Sequence, residues 1–277
     1  MARPYVHGYE SRESERLRDQ AQSLVDLLHS DTLYPPGSAV LEAGCGVGAQ
    51  TIPLARNSPG ARFTSVDLSA DSLGEAAARV RSAGITNVDI LQADVLGLPF
   101  TPESFDHVFV CFVLEHLSRP SDALLLLKRL LRPGGTITVI EGDHGSAHFH
   151  PDSADARHAI DCLVELQRRG GGNAMIGREL FPLLSAAGFD AVRVSPRMVY
   201  VDSSRPELVE GFTRKTFTAM VEGVRAAAIE VRMTTAERFD AGIRALYRTT
   251  QADGVFCYTF FKAVGTKAHA TDSDRSR

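Results

Sequence analysis

The stretch Val40-Leu41-Glu42-Ala43-Gly44-Cys45-Gly46-Val47-Gly48 constrains the fold more than any other part of the chain. A short apolar strand runs into an acidic residue and then a glycine-alternating turn, with helix-prone sequence behind it. So tight a strand-to-helix turn needs backbone conformations that a Cβ penalises, and it lets a ligand press against the main chain. A second acidic strand end follows in Phe63-Thr64-Ser65-Val66-Asp67, with Asp67 19 residues after Gly48. That interval fits a carboxylate accepting hydrogen bonds from a ribose diol at the edge of a nucleoside-binding βαβ unit.

Two kinds of nucleoside compete for such a turn. A dinucleotide fold wants G-x-G-x-x-G, whose helix N-terminus cradles a pyrophosphate. This turn reads Glu42-x-Gly44-x-Gly46-x-Gly48. A carboxylate before the glycines repels a pyrophosphate but suits a ligand with an ammonium group. S-adenosylmethionine has a ribose, an amino-acid head and a sulfonium, and no phosphate. At these residues the chain resembles the class I S-adenosylmethionine-dependent methyltransferases, in particular the small-molecule branch similar to the ubiquinone/menaquinone C-methyltransferases.

The resemblance covers roughly residues 37 to 145 through motifs in order. It implies that Glu42, Gly44, Cys45, Gly46 and Gly48 form the first cofactor motif and that Asp67-Leu68 carries the ribose-binding acid. Gln92-Ala93-Asp94-Val95 resembles the strand end whose acid meets the adenine amino group. Ser104 to Val110 resembles the fourth strand, and Leu131-Arg132-Pro133-Gly134-Gly135-Thr136 the turn before the fifth. The implied cofactor is S-adenosyl-L-methionine.

Composition agrees. A chain of 277 residues with 44% hydrophobic and 23% charged residues suits one α/β domain with additions. The net charge of −4 offers no global attraction to nucleic-acid phosphates, so no nucleic-acid partner is expected. No apolar run reaches the roughly 18–20 residues of a membrane span, and the first residues lack the apolar core of a signal peptide. Cys45, Cys111, Cys162 and Cys257 are widely spaced without a C-x-x-C pair, which reads as reduced thiols in a cytoplasmic protein.

The expected fold is α/β: a Rossmann-like, seven-stranded, mostly parallel sheet with an antiparallel last strand. Strands are expected near 38–42, 62–67, 88–92, 106–111 and 136–141, with helices near 49–56, 71–83 and 121–131. Helices near 153–169 and 177–187 then precede a strand near 190–201. Helical stretches at 206–231 and 234–250 lead to a last strand near 256–264. The whole forms one domain, residues 1–266, with a helical cover (1–36), a cofactor-binding core (37–145) and a helical insertion (203–251). The small, polar tail 267–277 is expected to be disordered. The N-terminal helix, 9–29, either packs on the sheet edge or covers the cofactor. Its leader resembles that of methyltransferases in which this segment closes over the methionine end, which makes Tyr9, Arg16 and Gln20 cofactor candidates. The insertion either roofs the acceptor pocket or forms a dimer interface, so a monomer or homodimer is expected.

Methyl transfer from a sulfonium needs alignment and a dry pocket, and acidic or neutral acceptors also need a base. Cys111 and Phe112, after strand four, are expected to line the adenosine or methyl pocket. Glu115-His116 either holds the following loop or acts in catalysis. The run Glu141-Gly142-Asp143-His144-Gly145-Ser146-Ala147-His148-Phe149-His150 places three histidines and a carboxylate within eight residues. Its spacing matches no metal-site pattern, so no metal is expected. His144 or Asp143 is the candidate base or anchor for a small organic acceptor methylated at O, N or C; His148 and His150 alternatively sit exposed. Arg197 or Tyr200 on strand six, but not both on a regular strand, either meets an anionic or phenolic acceptor or forms a surface ion pair or rim contact, and Tyr258 and Phe260 read as core. A cyclase-like enzyme that binds the cofactor without methyl transfer, or a non-catalytic regulatory module, would use the same cofactor pocket.

Overall fold

Apolar residues alternate from face to face along the central strands, and each face builds its own core. On β1 (Ala39–Ala43), Val40 enters one core and Leu41 the other. Strands buried on both sides this way belong inside a covered parallel sheet. The computed structural model describes residues 24–269. Its sheet runs β3 (Val88–Gln92), β2 (Arg62–Asp67), β1, β4 (Phe105–Cys111), β5 (Leu131–His150), β7 (Val255–Thr266) and β6 (Asp190–Val201). Only β7 runs antiparallel to its neighbours, as expected for the last strand. Because chain order reverses between β1 and β4, a crevice opens beyond the carboxyl ends of these two strands.

One core joins Val40, Phe63, Phe109 and Ile140 to α1 (residues 24–29 among those described), α2 (Thr51–Asn57) and α5 (Ala154–Arg169). The other joins Leu41, Val108, Val110 and Val139 to α4 (Pro120–Leu130) and α6 (Leu180–Ala186). Helix α3 (Ala70–Ser82) starts at Ser69, whose hydroxyl accepts the Ser72 N–H at 3.2 Å, and it buries Leu73, Ala76 and Val80. Ser153 caps α5 in the same manner.

Three elements differ from expectation. The fifth strand does not give way to a loop after residue 141. It pairs with β7 as far as His150, across a bulge in which residues 144–147 stand opposite Tyr258 alone. The expected helix 177–187 is a 3₁₀ turn (Ile176–Glu179) leading into α6. The expected helix 206–231 is broken into α7 (Pro206–Leu208), a π-helix (Val209–Thr218), α8 (Ala219–Gly223) and α9 (Arg225–Glu230); α10 (Ala236–Arg248) follows. The π-helical winding stacks residues five apart, so Phe212 and Phe217 fall together against Phe256 and Tyr258 of β7. The insertion thus roofs the carboxyl end of β5.

Candidate active site

The glycine turn leaves β1 with Gly44, Gly46 and Gly48 all at positive φ (82°, 51° and 74°). Their side-chain spaces differ. A Cβ at Gly44 would lie 2.3 Å from the Val113 side chain, and one at Gly48 would lie 3.1 Å from Ala76 of α3. A Cβ at Gly46 would meet nothing within 4 Å, so this glycine faces open space at the mouth of the crevice. Asp67, at the end of β2, accepts the Gly46 N–H at 2.8 Å and the Ser69 N–H at 2.9 Å, and so fixes the turn's rim. Leu68 is half exposed beside it. Asp94 is exposed beyond β3, where its carboxylate accepts the Leu96 N–H at 2.9 Å, and Val95 packs toward the second core. The structure therefore gathers Gly46, Asp67, Leu68, Asp94 and Val95 at one end of the sheet.

Glu42 needs correction. Its carboxylate is buried beneath the turn and accepts the Thr51 hydroxyl at 2.7 Å and the Ser65 hydroxyl at 2.6 Å. Burial, partly offset by these hydroxyls, pushes its acid up to about 7. Glu42 thus ties β1, β2 and α2 together under the ligand's expected place, where an open anion for an ammonium group was expected. The Cys45 and Cys111 thiols are likewise buried, and burial raises both. Cys111 packs in the first core rather than standing open at the crevice.

Phe112 holds a φ of 58°, a left-handed conformation that strains a side-chain-bearing residue. Its ring packs on Phe260 with centroids 5.6 Å apart. Glu141, fully buried at the centre of β5, steadies the turn after β4: its Oε1 accepts the Val113 N–H at 3.0 Å and the Leu114 N–H at 2.8 Å. Burial beside Glu115 holds the Glu141 acid well above the usual carboxylate range. Because Val113 also packs on Gly44, Glu141 links the fifth strand to the glycine turn. Sequence reasoning missed the role of this residue; its one signal is a carboxylate directly after the β-branched run Thr136-Ile137-Thr138-Val139-Ile140. Glu115 proves to hold its surroundings together: Gln167 Nε2 donates to its carboxylate at 3.0 Å, and the Asn173 N–H donates to its carbonyl at 2.8 Å.

On the acceptor side the bulge decides which residues meet. Arg178 grips the buried Asp143 with two bonds, Nε to Oδ2 at 2.8 Å and Nη2 to Oδ1 at 2.7 Å, and the Gly145 N–H donates to Oδ1 at 3.0 Å. A carboxylate so engaged is a clamp for the bulge and not a free base, which corrects its catalytic assignment. Ser146 Oγ donates to the Asp143 carbonyl and accepts the Thr259 N–H at 2.9 Å, replacing the ladder bond that the bulge removes. His144 lies buried, its Nδ1 2.7 Å from the Tyr258 hydroxyl and its ring edge-on to Phe217. Tyr258, read from sequence as core, is core and also the imidazole's partner; its alternating strand carries no sign of a contact 114 residues away. His148 and His150 point outward, opposite the buried Phe149. Among the described residues no group of three or more His, Cys, Asp or Glu side chains is arranged for a metal ion. Arg197 is ion-paired with Asp31, which Lys262 also holds at 2.6 Å, and Tyr200 is exposed on the other face of β6. Tyr9, Arg16 and Gln20 lie outside the described residues.

Comparison with known proteins agrees with this geometry. Residues 41–139 match the family model of the methyltransferase domain. An uncharacterized 37.1 kDa protein of a Streptomyces fradiae transposon is 32% identical over 221 residues, 77% of this chain and 61% of that protein. A ubiquinone/menaquinone biosynthesis C-methyltransferase of Cereibacter sphaeroides is 32% identical over 113 residues, 40% of this chain and 45% of the enzyme. The chain thus spans less than two thirds of the length of either relative. Among solved structures, the YcgJ protein of Bacillus subtilis superposes with a TM-score of 0.57 at 16% identity, covering 90% of this chain and 99% of its own, and so shares the fold. With the glycine turn, the acidic strand ends and the reversed strand order all in place, residues 41–139 form a methyltransferase domain similar to those of the class I S-adenosylmethionine-dependent enzymes.

Proposed function

We propose that this protein transfers a methyl group from S-adenosylmethionine to a small organic acceptor in the cytoplasm. The observation that carries this reading is the open face of Gly46, rimmed by Asp67 beyond the carboxyl ends of β1 and β2, within a stretch that matches a methyltransferase domain. The cofactor fits these residues. Asp67 would hold the ribose diol, Asp94 the adenine amino group, and Leu68 and Val95 the faces of the base. The cofactor supplies an already activated methyl group. This chain then has to align an acceptor and exclude water, which the π-helical roof of Phe212 and Phe217 over β5 and β7 does by packing. His144 would meet the acceptor as base or anchor, with Asp143 and Arg178 holding its strand.

Free, buried thiols at Cys45, Cys111 and Cys162 support a reducing compartment. Among the described residues no helix is long and apolar enough to cross a membrane. The test has two parts. Calorimetry should show S-adenosylmethionine binding to the wild-type protein. Incubation of a cell extract with the enzyme and a methyl-labelled donor should then mark a small molecule. Absence of binding at millimolar donor would sink the reading.

A further inference from the structure

We infer that His29 is a positioning residue for S-adenosylmethionine: from the end of α1 it holds Gln50, and through Gln50 the α2 end of the glycine turn. This rests on the methyl-transfer reading and gives that reading's site a support outside the cofactor motifs. Gly44, Gly46 and Gly48, all at positive φ, make a turn whose backbone has many alternatives, so contacts have to impose its working shape. Main-chain groups fix its entry. The Gly44 and Cys45 N–H groups donate to the Val66 carbonyl at 2.8 and 2.9 Å, and Asp67 takes the Gly46 N–H. Side chains fix its exit. Thr51, the first residue of α2, is held from below by Glu42. Gln50, just before it, gives α2 no side-chain cap; its Oε1 lies instead 2.5 Å from His29 Nε2.

His29 is itself fixed. The imidazole is fully buried and packs on Phe109 of β4, with ring centroids 5.7 Å apart. Burial pushes its pKa down to about 4, so the ring is neutral at physiological pH and donates its Nε2 hydrogen to the Gln50 carbonyl. The chain on either side of the ring is tied down as well. The Asn57 amide, at the far end of α2, donates to the His29 carbonyl at 3.2 Å. Lys262 of β7 donates to Asp31 and to Thr32, at 2.6 Å each. His29 thus joins a part of the fold anchored on the sheet to the exit of the glycine turn. A turn held in its binding shape before the ligand arrives spares the ligand the cost of ordering it. Without the imidazole hydrogen bond, that cost falls on the affinity for the cofactor.

The test is a double-mutant cycle on the full chain, read by calorimetry with S-adenosylhomocysteine. His29→Phe keeps a ring on Phe109 and deletes the hydrogen bond; Gln50→Leu deletes it from the half-buried other side. Each should weaken binding roughly three- to tenfold, the span of one net hydrogen bond. The double variant should bind no worse than the weaker single. Losses that multiply, or unchanged affinity in both singles, overturn the inference. Asn57→Ala removes a tie to the same residue away from the turn. It should lower the melting temperature and leave affinity intact; an equal loss of affinity would mean that stability alone is being read, and overturns the inference too. Should His29→Phe not fold, Gln50→Leu against Asn57→Ala decides it. Hydrogen exchange of the unliganded proteins keeps the two readings apart. The Gly46 and Gly48 amides should exchange faster in His29→Phe and Gln50→Leu than in the wild type or Asn57→Ala. Failure of the wild type to bind S-adenosylhomocysteine refutes the methyltransferase reading, while unchanged exchange in both variants refutes the role of His29 by itself.

Discussion

The two walls of the crevice are made in different ways. The wall at β1 to β3 is assembled from short words of sequence: a glycine turn, an acid at the next strand end, another at the third. Its contacts are largely main-chain contacts, such as the Gly46 and Ser69 N–H groups on Asp67. The wall at β5 and β7 is assembled from side chains far apart in the chain. His144 meets Tyr258, Asp143 meets Arg178, and Phe212 and Phe217 descend from an insertion. A ligand common to a whole family can be held by backbone geometry that tolerates few sequences. An acceptor particular to one protein is met by side chains that tertiary packing brings together. The difference teaches where to look for specificity.

The largest expected effect breaks the first wall. Gly46→Val should weaken S-adenosylmethionine binding by at least about 100-fold, near 2.7 kcal/mol, measured by calorimetry. The valine would occupy space that is open in the structure while adopting a φ of 51° that suits glycine. Circular dichroism should still show a folded protein. If affinity survives, the ligand does not pass over this turn and the contrast between the walls collapses.

Next comes the second wall. His144→Ala should lower turnover by roughly 10²–10⁴-fold, the range of a general base, with donor affinity nearly intact. Turnover is measured by label transfer from the methyl donor. Equal damage to donor affinity and turnover would show that the walls are not separable.

Asp67→Ala should cost about 1.5–3 kcal/mol of donor affinity, the worth of hydrogen bonds to a charged group. Part of that loss arises because Asp67 also restrains the Gly46 amide. Unchanged binding in the folded variant would remove the ribose from this strand end.

The smallest effect is expected at Glu42. With its acid raised to about 7 and both hydroxyl bonds inward, Glu42→Gln should change donor affinity by no more than about 1 kcal/mol. A large loss would restore direct contact with the ligand. The pH dependence carries its own sign. A carboxyl raised in the folded state from 4.5 to about 7 contributes stability that is full below 4.5 and lost as pH rises through 7. Thermal unfolding of wild type against Glu42→Gln should show that extra decline in the wild type across this window.

What the sequence determined by itself is the glycine turn with its acidic strand ends and the fold that carries them. Glycines at alternate positions after an apolar strand, and acids at the next strand ends, impose their consequences within a few residues, because backbone sterics and strand alternation act locally. That is why the places of Gly46, Asp67 and Asp94 could be read in advance. Only the tertiary structure decided the rest. Glu42 looks the same in sequence whether its carboxylate turns toward ligand or toward Ser65, and burial chose the second. Asp143 looks like a base until Arg178, 35 residues on, takes both its oxygens. The strand that seemed to end at residue 141 continues because β7, more than a hundred residues later, offers a partner across a bulge. The winding of residues 209–218 brings two phenylalanines into one aromatic cluster. Each of these outcomes depends on a neighbour that folding supplies and local sequence cannot name, because side-chain partners across a sheet are chosen by packing and by the cost of leaving buried polar groups unpaired.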